Sequence, residues 1–142
     1  MTRTERTLRG DGTAELTWNG DLRFEARAGE FAVPMDSSGE AGTTPPVLLL
    51  EALAGCMAID VVDILNKGRQ EPLAMQIRIS GDRMPEPPRF FTDIHMTFEI
   101  AGSVDDAKAE RAVQLSMDKY CSVFHSLRSD LVFTYEIAIA DE

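Results

Sequence analysis

Cys56 and Cys121 are the two cysteines of this 142-residue chain. A cysteine acts as nucleophile, redox centre or metal ligand through its thiolate, so its surroundings decide what it does. Cys56 lies inside Leu53-Ala54-Gly55-Cys56-Met57, in the middle of an apolar run. On a helical wheel Asp60 falls about 40° and Asp63 about 20° from it. Carboxylates that close raise a thiol pKa, so a reactive Cys56 needs a cation brought from elsewhere. Without one it reads as a small buried residue, a common fate of free cysteine. Gly55 costs roughly 1 kcal/mol in a helix relative to Ala, which points to close backbone packing or to room beside the thiol.

Cys121 sits differently, just before Ser122-Val123-Phe124-His125, where a short helical turn begins. Backbone N–H groups at a helix start stabilise a thiolate, and His125 could reach the same sulfur from four residues on. Position therefore makes Cys121 the easier thiol to ionise, with a buried spectator as the alternative. By residue type, Cys56, Cys121, His95 and His125 could hold zinc. No C-x-x-C pair is present, and Cys121-x-x-x-His125 alone is a weak signal, so no metal is expected. Glycine-rich phosphate loops and Ser/His/Asp signatures are not evident, and no cofactor is expected.

The elements that must position these thiols read as α+β with mainly antiparallel sheets. Thr13 to Trp18, Leu22 to Ala28 and Phe31 to Met35 form a small meander, with turns at Asn19-Gly20-Asp21 and Gly29-Glu30. Asp36 to Thr44 is a loop by composition. Thr44 then suits an N-cap and Pro45 a first helical position, and a helix runs to about Lys67 with Gly68 as its stop. Apolar residues cover nearly every face of this helix, so it is buried on most sides, which one small chain can hardly achieve alone. A dimer with packed central helices follows as an expectation. Leu73 to Met84 and Phe91 to Ile100 alternate as strands around Pro85-Glu86-Pro87-Pro88. A second helix runs from near Ser103 to about Tyr120, with a stripe of Ala109, Ala112, Val113, Ser116, Met117 and Tyr120. A turn at Ser122 to Leu127 and a strand from Leu131 to Ile139 complete the order.

Length and composition indicate one domain over residues 1–142. The chain is 44% hydrophobic and 27% charged, the balance of a globular protein. Its 24 acidic residues against 14 basic ones give a formal charge of −10, which excludes unassisted binding to nucleic acid or anionic membranes. Glu51, Asp60 and Asp63 interrupt the apolar run from Val47 to Leu65, so no membrane span is expected. The segment MTRTERTLRGDG lacks an apolar core, which makes the cytoplasm the expected compartment. A structural disulfide is not expected there.

The residues from Thr44 through Val62, TPPVLLLEALAGCMAIDVV, resemble the first cysteine helix of the OsmC/Ohr family, the osmotically inducible protein C and organic hydroperoxide resistance proteins. Lys119-Tyr120-Cys121-Ser122-Val123 resembles the family's second cysteine motif. The element order is similar along almost the whole chain. The resemblance implies an OsmC-like fold, with antiparallel sheets around a long buried central helix in an intertwined homodimer. It also implies reduction of organic hydroperoxides by a cysteine pair, with Cys56 peroxidatic, Cys121 resolving and an external dithiol as reductant. Two positions depart from the family pattern: Pro46 stands where peroxidase members carry a glutamate, and Asp36 where they carry an arginine. Glu51 is no obvious replacement, because it lies about 140° from Cys56 on the wheel. Arg23 or Arg27 could approach the thiolate from a strand of either subunit. The stretch from Asp60 through Gln70 looks most like a branch whose substrate is unsettled. The alternative expectation is a non-catalytic member that binds an apolar small molecule at the dimer interface or senses redox state through its thiols.

Overall fold

A computed structural model describes residues 12–141, and the reading of the first eleven residues lies outside the described residues. The chain divides between Leu48 and Leu49 into two compact units. In the first, β1 (Glu15–Trp18), β2 (Arg23–Ala28) and β3 (Phe31–Asp36) form an antiparallel meander in that order. Trp18 pairs with Phe24, and Phe24 with Met35. Gly20 at φ 97° and Asp21 at φ 46° turn the chain between β1 and β2, where Asn19 N–H donates to the Arg23 carbonyl at 2.9 Å. Leu16, Trp18, Phe24 and Phe31 remain exposed on this sheet.

Helix α1 (Pro45–Lys67) has the bounds its sequence signals announce. The Thr44 carbonyl accepts the Leu48 N–H in its first turn. One face carries Leu50, Leu53, Met57, Val61 and Leu65, all buried. The opposite side leaves Leu49, Ile59 and Val62 exposed, so a single chain covers only part of the all-round apolar surface.

The stop differs in detail from the reading of Gly68. Gln70 N–H donates to the Leu65 carbonyl and Arg69 N–H to that of Asn66, the paired bonds of a Schellman cap. The left-handed residue of that cap is Arg69, at φ 60°. A side chain there costs about 1 kcal/mol that glycine does not. Arg69→Gly should therefore raise stability by about 1 kcal/mol in urea unfolding, with no change in m-value.

In the second unit β4 (Glu71–Arg83) pairs antiparallel with β5 (Phe91–Ser103), and β6 (Val132–Ala140) adds to β5 in parallel. A parallel neighbour requires a crossover, which is supplied by α2 (Asp106–Leu115), a π-helical turn at Ser116–Tyr120 and α3 (Ser122–His125). The expected single helix to Tyr120 thus ends as α-helix at Leu115. Cys121 N–H then bonds the Ser116 carbonyl, five residues back, at 2.8 Å. At the other end Asp105 caps α2 by accepting the Lys108 N–H at 3.1 Å.

Gly102, at φ 123°, sits where the β4–β5 register shifts, and a Cβ there would meet the Glu71 carbonyl oxygen at 2.5 Å. Along β5, Ile94, Met96, Phe98 and Ile100 point into the core with the buried face of α1 and with Ala109, Ala112 and Val113 of α2. The architecture is α+β, as expected, and three of the four ladders are antiparallel. No helix among the described residues is long and apolar enough to cross a membrane.

Candidate active site

Helix α1 and the end of the crossover bring the two thiols together. Cys56 is half-buried midway along α1, between the core residues Leu53 and Met57. Cys121 is fully buried where the π-helical turn hands over to α3. Both thiols are free. Their Sγ atoms and a carboxylate oxygen of Asp60 all lie within 4.8 Å of one another. A disulfide needs the sulfurs at about 2 Å, so closure requires a modest side-chain movement.

The Cys121 sulfur accepts the Phe124 N–H at 3.3 Å, the helix-start contact its position suggests. Its thiol is nonetheless pushed up to about 11, first by burial and then by the Cys56 sulfur beside it, with the Phe124 N–H opposing them. This corrects the expectation that position makes Cys121 the easier of the two thiols to ionise, because one N–H bond does not offset the loss of water around a thiolate.

The structure adds Ser116 to the thiol pair and gives Asp60, which the sequence already places near Cys56, a defined partner. The Ser116 hydroxyl, fully buried, donates to Asp60 Oδ2 at 2.9 Å. Asp60 sits one turn after Cys56, a spacing visible in the sequence, but it was read only as a charge that suppresses the thiol. Ser116 was read as one more residue of a helical stripe. Asp63, about 20° from Cys56 on the wheel but two turns along the helix, instead pairs with Lys67 at 2.9 Å, exposed, four residues on.

The remaining candidates are engaged elsewhere. The His125 ring bonds the Met117 carbonyl through Nε2 at 2.8 Å and stands edge-on to Phe124. Glu51 is exposed on α1, away from the Cys56 side. His95 lies on the outward face of β5, bonded to Thr134 at 2.7 Å and Glu136 at 2.9 Å. In the first unit Arg27 pairs with Glu25 at 2.6 Å, and Arg23 pairs with Asp36 at 3.1 Å.

Asp36 itself organises a loop. It is buried and accepts N–H groups from Ser38 at 3.1 Å and Ala41 at 3.0 Å, besides the Arg23 guanidinium. These bonds, the Ala41 N–H foremost, lower its carboxyl from the usual 3.8 to about 2. A depressed folded value means its contribution to stability is present above 3.8 and is lost as pH falls through 2. Thermal melts should show Asp36→Asn destabilised at neutral pH, with the difference from the parent shrinking across that acid window.

Comparison with known proteins places this geometry. The sequence profile of the family described as OsmC-like protein matches residues 37–136. The protein YhfA of Escherichia coli is 37% identical over 132 residues, which cover 89% of this chain and 98% of YhfA. A hypothetical protein from Aquifex aeolicus superposes with a TM-score of 0.85 at 27% identity, covering 91% of this chain and 96% of that one. An OsmC-like protein from Mycoplasma pneumoniae, 14% identical, shares the fold with a TM-score of 0.78 over 94% of this chain and 98% of its own. With the profile spanning both cysteine segments and YhfA matching along nearly its whole length, the chain belongs to the OsmC-like protein family.

Proposed function

We propose that this chain is a cytoplasmic, homodimeric, thiol-dependent reductase of organic hydroperoxides, with Cys56 attacking and Cys121 resolving. The observation that carries the reading is a pair of free sulfurs within 4.8 Å, on the two cysteine motifs of an OsmC-like chain. Burial supports the division of roles. Cys56 is half-buried and open to a substrate, whereas Cys121 is enclosed and pushed up to about 11, a poor first nucleophile but a ready partner for an activated sulfur.

In the proposed cycle Cys56 gives its proton to the Asp60 carboxylate and attacks the distal peroxide oxygen. An S–O bond forms, the O–O bond breaks, and the departing alkoxide takes the proton from Asp60 to leave as alcohol. Cys56 is then a sulfenic acid. Cys121 attacks its sulfur, the S–S bond forms, and hydroxide leaves with the Cys121 proton as water. An external dithiol reduces the disulfide and is itself oxidised. The Ser116 hydroxyl holds the Asp60 carboxylate in place throughout.

The homodimer is supported by the exposed apolar side of α1 and by a mainly apolar groove along it, lined by Ala58, Ile59, Val62, Met75 and Ile77 with Asp63 and Asn66 among them. The second reading, a redox sensor without efficient turnover, is favoured by one observation: a carboxylate, that of Asp60, stands beside the thiols. Stopped-flow oxidation by cumene hydroperoxide and by hydrogen peroxide tests both. Rapid, alkyl-selective oxidation with one alcohol formed per chain supports the reductase. Oxidation no faster than free cysteine, still ending in the disulfide, leaves the sensor.

A further inference from the structure

We propose that the reduced thiol pair and Asp60 form a binding site for one zinc-class divalent ion. Two thiolates and a carboxylate are ligands that a borderline-soft ion such as Zn²⁺ accepts and that Mg²⁺ or Ca²⁺ does not favour. Around a tetrahedral zinc, sulfurs at about 2.3 Å and an oxygen at about 2.1 Å stand roughly 3.5–4 Å apart. The three atoms already lie within 4.8 Å of one another, so small side-chain rotations bring them to those distances.

The support around the ligands also fits. The Ser116 hydroxyl orients the Asp60 carboxylate at 2.9 Å, and the Phe124 N–H points at the Cys121 sulfur at 3.3 Å. Such outer hydrogen bonds fix ligands and stabilise thiolate charge. Three protein ligands leave a fourth position for water, on the side where Cys56 is partly exposed. The ion supplies the positive charge that the local carboxylate denies the thiols, and binding releases two thiol protons. The inference needs only the reduced pair and does not rest on peroxide turnover. Oxidation of the sulfurs to a disulfide removes two ligands, so the bound ion and an oxidant exclude each other.

The test uses the reduced, chelator-treated full chain under anaerobic conditions, titrated with Co²⁺ and Zn²⁺ alone. The expected result is one ion per chain, a near-ultraviolet thiolate-to-cobalt charge-transfer band, and a zinc Kd of about 1 μM or tighter by chelator competition. Asp60→Asn should weaken binding at least about 10-fold, and Ser116→Ala should weaken it by about 10-fold. Alkylating Cys56 in the otherwise native chain should abolish the band, and circular dichroism verifies that the fold persists. Absence of the band, or uptake unchanged by Cys56 alkylation, overturns the proposal. A normal peroxide reaction of the unalkylated chain alongside either result separates it from the proposed function.

Discussion

Cys56→Ser is expected to abolish peroxide reduction, a loss of about 10³-fold or more, because the serine hydroxyl cannot replace the attacking thiolate. Cys121→Ser should differ in kind. A single equivalent of alcohol should still form, Cys56 should remain as a sulfenic acid that dimedone traps, and the mass loss of two hydrogens expected on oxidising the parent should be absent. Cys121 sits at about 11, so closure of the disulfide should quicken as pH rises through the alkaline range and level off near that value. The first step has its own expectation. By the family resemblance Pro46 and Asp36 stand where peroxidase members carry a glutamate and an arginine, and loss of one preorganised donor costs about 10²–10³ in rate. Cys56 should therefore react with alkyl hydroperoxides slower than in those members by at least that factor. An equal rate in both would mean that a cation reaches the thiol in the assembled protein.

The second large effect concerns assembly. Ile59 is 71% exposed in the single chain, so Ile59→Glu should cost an isolated protomer almost nothing. In a dimer packed through α1 it places a charge in an apolar contact, once per copy. At about 2 kcal/mol each, the two together weaken association about 10³-fold. Sedimentation should find the parent dimeric at micromolar concentration, burying well over about 1,600 Å², and the variant monomeric. Gly55→Ala adds a finer probe. Among the described residues, nothing outside its own stretch of helix backbone lies within 4 Å of the added Cβ, so helix propensity alone predicts a gain of about 1 kcal/mol. A loss instead would mark a partner backbone against Gly55. A parent that sediments as a monomer would refute the α1 interface.

Much of the scaffold was legible because local signals agreed with the packing. Thr44-Pro45 and Gly68 bracket α1, and strict alternation marks β5 and β6. Strand direction was not legible, since a period of two is the same whichever way β6 runs. The thiol pair was legible from its motifs, but its electrostatics were not. Cys121 has the cap its position promised, yet burial sets its protonation, and burial depends on α1 and β5 packing over it from distant parts of the sequence. Asp60 and Asp63 both fall near Cys56 on a wheel, but a wheel omits the rise along the axis: Asp63 is two turns away, about 10 Å, and pairs outward with Lys67. The role of Ser116 was not legible because a wheel puts it on the buried stripe without showing that Asp60 of α1 lies opposite.

That break constrains how chains of this kind can vary in length. A π-helical turn amounts to one residue inserted into an α-helix. Deleting any one of the residues between Ser116 and Tyr120 would let the segment relax to ordinary helix with Cys121 close to its present place, because the wider turn already absorbs the extra residue. A deletion within α2 has no such slack: it turns every later residue by about 100° and draws it back about 1.5 Å, and the two sulfurs would lose each other. Single-codon gaps in descendants that keep a working thiol pair should therefore fall in the π-helical turn and not in α2.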